Sequence, residues 1–109
     1  VGTPGGTTIP TSLFQSLVNI LEFGLSATDA VWKPKFHHQW QPDTLQIEKG
    51  FPTDVVASLE KMGYATHQRS AIGRTELIKV FYKKNADGKS ERWFEAVADT
   101  RGDDAADGF

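Results

Sequence analysis

Between Thr11 and Phe23 the apolar residues recur at helical spacing, and Gly24 stops the run. At about 100° per residue, Leu13, Phe14, Leu17, Val18, Ile20 and Leu21 gather within an arc of roughly 160°, with Ser12, Gln15, Ser16, Asn19 and Glu22 opposite. So wide an apolar face predicts packing against a sheet or another helix. A second, short helix is predicted from Ser26 to about Val31, because Ser-Ala-Thr-Asp offers a capping hydroxyl and an early acidic residue, and Pro34 ends it. The polar and aromatic loop of residues 35–43 leads to an alternating run, Leu45-Gln46-Ile47-Glu48, which reads as a strand. Val55, Val56, Leu59 and Met62 return to helical spacing, with Pro52 or Thr53 to open the helix and Gly63 to close it. Tyr64 to Arg69 is expected to turn back as a short strand. Glu76 to Lys83 and Ser90 to Ala98 are rich in β-branched and aromatic residues and flank Asn85-Ala86-Asp87-Gly88, which predicts an antiparallel hairpin. Lys79 and Glu95 are the charges inside otherwise apolar stretches, so both hairpin strands are expected to be covered on much of both faces. The tail from Asp99 to Phe109 carries no periodicity and reads as a solvated acidic segment. The order of elements is that of an α+β fold.

Composition narrows the function classes. The 109 residues, 39% hydrophobic and 24% charged, suit one globular unit spanning 1–109 with a modest core. Twelve basic residues against fourteen acidic ones, scattered along the chain, argue against a nucleic-acid partner, which needs a concentrated basic face. The absence of cysteine removes disulfides, thiolate metal sites and cysteine nucleophiles. No run reaches the ~18 apolar residues of a membrane span, so this segment is not expected to insert. The opening, Val1-Gly2-Thr3-Pro4-Gly5-Gly6, has neither a Met nor a basic-then-apolar leader and reads as the interior of a longer chain.

The segment most suited to chemistry is Gly2-Thr3-Pro4-Gly5-Gly6-Thr7-Thr8, immediately before the first helix. Its peptide N–H groups lie near the positive end of the helix dipole, and adjacent glycines let a substrate carbonyl approach the backbone. Two such donors on one oxygen would support a tetrahedral oxyanion. A tight turn joining strand to helix is the plainer reading of the same residues, and the spacing is not that of a phosphate-binding Gly-Lys-Ser/Thr loop.

Gly2-Thr3-Pro4-Gly5-Gly6, the block Pro34-Lys35-Phe36-His37-His38-Gln39-Trp40 and Glu48-Lys49-Gly50-Phe51 occur in the order and spacing of one family. Ile72-Gly73-Arg74, Asp99-Thr100-Arg101-Gly102 and Ala106-Asp107-Gly108-Phe109 continue the match. The chain resembles the C-terminal part of the small subunit of γ-glutamyltransferase. Lys35 stands where that family commonly has Arg, Thr3 where many members have Ser, and Thr7-Thr8 before Ile9-Pro10 is a further departure. The resemblance implies a fragment of an N-terminal-nucleophile hydrolase, a four-layer αββα sandwich whose precursor cleaves itself into large and small subunits. It implies a Thr nucleophile at the new N-terminus of the small subunit, upstream of Val1, so none of the threonines here inherits that role. Gly5 and Gly6 match the paired glycines whose backbone N–H groups form the oxyanion hole, and they are the only catalytic positions carried over. The implied partners are the upstream part of the small subunit and the large subunit. The implied substrates are γ-glutamyl donors such as glutathione, with poly-γ-glutamate and acylated β-lactam precursors handled by related enzymes. The complete enzyme would pass the γ-glutamyl group to water, an amino acid or a peptide. No cofactor or metal is implied, and the location is periplasmic, cell-surface or extracellular. The fragment alone is expected to be inactive and open to self-association.

Other residues compete for a role. His37 and His38 are adjacent, so on a strand they face opposite ways, and without Cys or a nearby carboxylate they make a poor chelate. The resemblance makes them hydrogen-bonded members of a structural connection anchored by Phe36 and Trp40. His67 reads as a surface or strand residue without a triad partner. Asp103, Asp104 and Asp107 lack the alternating ligands and terminal Glu of a calcium loop. A solvated tail is the plainer reading, and the resemblance implies another, in which the ending through Phe109 docks against the body and its acidity orients Arg101 or neighbouring basic groups. Trp32, Trp40 and Trp93 keep open an alternative, a noncatalytic interaction domain that binds another chain through Trp32 and Trp40.

Overall fold

The computed structural model describes all 109 residues, Val1–Phe109. A single 3-10 turn, Gly6–Thr8, runs directly into helix α1, Ile9–Leu21, with Pro10 in its first turn, where a missing N–H costs nothing. Helix α2, Ala27–Trp32, begins as its sequence predicts: the Ser26 hydroxyl accepts the Asp29 N–H at 3.0 Å. Strand β1 is the two residues Phe36–His37, and β2 is Leu45–Glu48. Helix α3, Thr53–Lys61, crosses over to β3, Thr66–Arg69. The three strands form a sheet in the order β1-β2-β3, with β1 antiparallel and β3 parallel to β2. The turn back expected after Gly63 is therefore a parallel crossover, for which α3 supplies the length. Strands β4, Leu77–Lys84, and β5, Ser90–Val97, form a separate antiparallel ribbon around the predicted turn, where Gly88 takes φ +75°.

Helix α1 meets the expectation only in part: Ile20 packs on the core, but the most buried side of the helix is a polar one. Its buried residues are Ser12 and Ser16, while Phe14 is 64% and Leu21 73% exposed. The small polar stripe lies inward because it lets the segment around Ile72 and Gly73 come close: the Ser12 hydroxyl lies 3.4 Å from the Ile72 carbonyl, and a Cβ on Gly73 would stand 2.6 Å from Ser12 Oγ. The expected covering of the ribbon on both faces is likewise not met within this chain. Leu77 and Val97 are buried at its base, and Ile78, Val80, Tyr82, Trp93 and Phe94 are exposed.

Leu77 and Val97 join Ala27, Val31 and the half-buried Ile20 in a small apolar core between α1, α2 and the base of the ribbon. Sixteen residues are buried and half of them are polar or charged, so much of the interior is held by hydrogen bonds rather than by apolar contact. The radius of gyration, 16.6 Å, exceeds the ~13 Å of a compact domain of this length, and the body is 57 Å long.

Candidate functional site

The glycine loop is built against residues 72–76. Gly2 and Glu76 exchange backbone hydrogen bonds of 2.9 and 2.8 Å, and Thr3 Oγ1 accepts the Arg74 N–H at 2.7 Å. Gly5 takes φ +138° and Gly6 φ +59°, conformations that a side chain disfavours, and the chain then enters α1. The Gly5 carbonyl accepts the Thr8 N–H at 3.2 Å and the Thr8 hydroxyl at 3.0 Å. Both glycines are exposed, and neither of their N–H groups donates to any group of the chain. An open pocket of about 360 Å³ adjoins the loop, lined by Pro4, Gly5, Thr8, Arg69, Gly73 and Arg74 among others. Arg74 Nε contacts Asp104 Oδ2 at 2.9 Å, and Arg69 donates to Gln46 Oε1 at 2.7 Å.

Behind residues 72–75 lies a buried ion cluster, in which Arg101 is oriented by acidic Asp99 as the resemblance allows, and in which Glu48 and Lys35 are members that the sequence reading missed. Arg101 uses all five of its N–H donors: Nε and Nη2 grip the two Glu48 oxygens at 2.6 and 2.5 Å, Nη1 reaches Asp99 Oδ1 at 2.8 Å, and the other two reach the carbonyls of Val31 and Lys33. Glu48 also accepts the N–H groups of Lys35 and Ile72 at 2.7 and 2.6 Å, and Asp99 Oδ2 accepts that of Thr75 at 2.7 Å. Lys35 Nζ donates to the Val31 carbonyl at 2.7 Å and lies 3.9 Å from Asp99. Two cations and two carboxylates thus balance inside the molecule. Burial pushes the Glu48 carboxyl up, but the hydrogen bonds from Arg101, Lys35 and Ile72 outweigh it and hold the group below the ordinary range. Burial, reinforced by the Arg101 charge, lowers Lys35 to about 8 against the opposing pull of Asp99 and Glu48. For Arg101 burial is again overcome, here by Glu48 and Asp99, and its affinity for the proton rises. Asp99, expected in a solvated tail, is fully buried; the signals available were Glu48 breaking the alternation of β2 and an Asp-x-Arg placed directly after a strand.

The remaining candidates fall into place as follows. His37 is buried, with Nδ1 2.8 Å from Thr11 Oγ1 and Nε2 3.0 Å from Gln39 Oε1, and His38 pairs with Asp43. His67 is exposed on β3. Phe36 meets Phe51 edge to face, whereas Trp40, expected to anchor its segment, is 79% exposed in a left-handed conformation at φ +73°. Trp32 and Trp93 are also exposed, and Trp32 donates to the Ala98 carbonyl at 3.1 Å. No group of three or more His, Asp or Glu side chains is arranged to hold a metal ion. No helix is long and apolar enough to cross a membrane.

Comparison with known proteins agrees with this arrangement. The model of the gamma-glutamyltranspeptidase family matches residues 1–109. A glutathione hydrolase proenzyme of Escherichia coli is 43% identical over 79 residues, 72% of this chain and 14% of the relative. One from Pseudomonas aeruginosa is 38% identical over 106 residues, covering 94% of this chain and 17% of the relative. A crystal structure of a Helicobacter pylori gamma-glutamyltranspeptidase mutant superposes with a TM-score of 0.82 at 36% identity, over 93% of this chain and 52% of that one. The chain therefore spans about one sixth of the curated relatives it matches and about half of the solved chain. Its helices, mixed sheet and ribbon are the α+β arrangement of part of that N-terminal-nucleophile hydrolase fold. From its glycine loop to its Arg101 tail, the chain belongs to the γ-glutamyltranspeptidase family.

Proposed function

We propose that these residues supply the oxyanion loop of an enzyme that transfers a γ-glutamyl group. The observation that carries the reading is the pair of unclaimed, exposed N–H groups on Gly5 and Gly6, at the head of α1 and beside an open pocket. The nucleophile is a Thr outside these residues. Within the chain, the Thr8 and Thr75 side chains are buried, and the Thr8 hydroxyl is committed to Gly5. In the complete enzyme that Thr oxygen attacks the γ-amide carbon, the carbonyl oxygen becomes an oxyanion held by Gly5 and Gly6, and the C–N bond breaks with the amine leaving protonated. Water, an amino acid or a peptide then attacks the ester, receives the γ-glutamyl group and restores the Thr.

The partners are the remainder of the small subunit and the large subunit, which cover the exposed apolar face of α1 and the exposed ribbon. As the family resemblance implies, the enzyme works in the periplasm, at the cell surface or outside the cell, on glutathione or a related donor. The test is an amide-to-ester replacement at Gly6 in the complete enzyme, which deletes one N–H and keeps the chain path. Release of chromophore from a γ-glutamyl anilide should slow by about 10² to 10³ in the acylation step. Unchanged acylation would remove the loop from the site.

A further inference from the structure

We infer that Thr8 is the positioning residue of this loop, its buried hydroxyl holding the Gly5–Gly6 peptide in the orientation that presents the Gly6 N–H outward. The inference rests on the oxyanion role proposed above. In a trans peptide the C=O of one residue and the N–H of the next point in opposite directions, so whatever fixes the Gly5 oxygen also fixes the Gly6 hydrogen. The Gly5 oxygen accepts two donors from one residue, the Thr8 N–H at 3.2 Å and the Thr8 hydroxyl at 3.0 Å. Any residue but proline at position 8 supplies the first bond, whereas the second needs a hydroxyl.

A Gly-Gly peptide is the one most free to turn over, because both residues accept either sign of φ. Turned over, it would present a carbonyl oxygen where negative charge develops. Thr8 opposes this from a fixed position. Its side chain is 1% exposed, and its hydroxyl stands in the space that a Cβ on Gly5 would need. Its own carbonyl accepts the Thr11 hydroxyl at 3.1 Å, and Thr11 Oγ1 lies 2.8 Å from the buried ring of His37 on β1. The peptide is thus tied through Thr8 and Thr11 to the sheet.

The test compares Thr8→Val, which keeps shape and loses the hydroxyl, with Thr8→Ser, which keeps the hydroxyl, in the complete enzyme. Loss of one such hydrogen bond should lower the single-turnover acylation rate by about 5- to 10-fold. Affinity for a tetrahedral phosphonate analogue should fall in parallel, with donor Kd unchanged, and Thr8→Ser should remain near wild type. Should Thr8→Val fail to fold, Thr8→Ala lacks the same hydroxyl and gives the same comparison with Thr8→Ser. In an enzyme already carrying the ester at position 6, removing the hydroxyl should have almost no further effect, because both changes act on one donor. Wild-type acylation without the Thr8 hydroxyl, beside an impaired ester variant, overturns the role of Thr8 alone. A full second loss in the ester background overturns it too, by showing that Thr8 acts elsewhere. An ester variant with intact acylation overturns the oxyanion reading and this inference together.

Discussion

Arg101 offers the sharpest test of how the site is supported. Its five N–H donors reach five acceptors on Glu48, Asp99, Val31 and Lys33, its side chain is 10% exposed, and only the Lys33 carbonyl among the acceptors belongs to an exposed residue, so solvent is a poor substitute for the bonds to Glu48 and Asp99. Lysine keeps the charge but has three donors and no planar fork, so Arg101→Lys gives up at least two bonds to buried acceptors. At about 1.5 kcal/mol or somewhat more for each charge-assisted bond, the expected cost is roughly 3 kcal/mol, reduced where the ammonium finds a new geometry. Arg101→Met leaves Glu48 and Asp99 facing Lys35 as their single cation, and breaking a buried pair in that way costs about 3–5 kcal/mol. The loss should be read locally, because the Ile72 and Thr75 N–H groups donate to the two carboxylates concerned. Amide hydrogen exchange at Ile72 and Thr75 should accelerate by about 10² in Arg101→Lys and by roughly 10² to 5 × 10³ in Arg101→Met. Unchanged exchange at both amides in Arg101→Met would refute the view that Arg101 holds residues 72–75 in place. The claim concerns breaking the cluster, since replacing all its members by well-packed apolar residues can be neutral.

Two further outcomes follow from the same region. Gly73→Ala places a methyl 2.6 Å from Ser12 Oγ and 2.8 Å from Thr3 Oγ1 at φ +71°, and should cost about 2–4 kcal/mol in denaturant unfolding, whereas Gly88→Ala, at φ +75° with open space around it, should cost only ~1 kcal/mol. Lys35 is lowered to about 8, so between that pH and 10.5 the folded chain holds fewer protons than the unfolded one, and stability from this group rises with pH by up to about 3 kcal/mol. Glu48, held below 4.5, works in the other direction: its contribution is complete above the unfolded value and is lost as pH falls through the folded one. Urea midpoints from pH 3 to 10 should show both limbs, with the alkaline rise absent in Lys35→Met.

Elements marked by local chemistry were legible in the sequence. The Ser26 cap, the alternation of β2, the Gly63 stop and the hairpin around Gly88 each depend on neighbours a few residues away, and each appears within a residue or two of its expected place. What the sequence concealed depends on distance. Glu48 and Arg101 meet across 53 positions, and a charged residue in a strand or an acidic tail looks solvated until its partner is known. The glycine loop was legible as a candidate from Gly5 and Gly6 themselves. Thr8, three residues on, was not, because a threonine at a helix start has many uses and only the direction of the Gly5 carbonyl selects one.

Periodicity also showed that α1 has an apolar face without showing what that face meets. Within these residues the helix turns Ser12 and Ser16 inward, while Phe14, Leu17 and Leu21 of α1 and Ile78, Val80, Tyr82, Trp93 and Phe94 of the ribbon remain outward. Placing serines at the close approach to Gly73 lets residues 72–74 lie against α1, where Thr3 reaches the Arg74 N–H. A larger apolar residue at position 12 would fill the space that the loop's support requires. The same rotation that seats residues 72–74 beside the glycine loop therefore leaves Phe14, Leu17 and Leu21 exposed. On the reading proposed above, the remainder of the enzyme would pack on that exposed face, on the helix that Thr8 leads into.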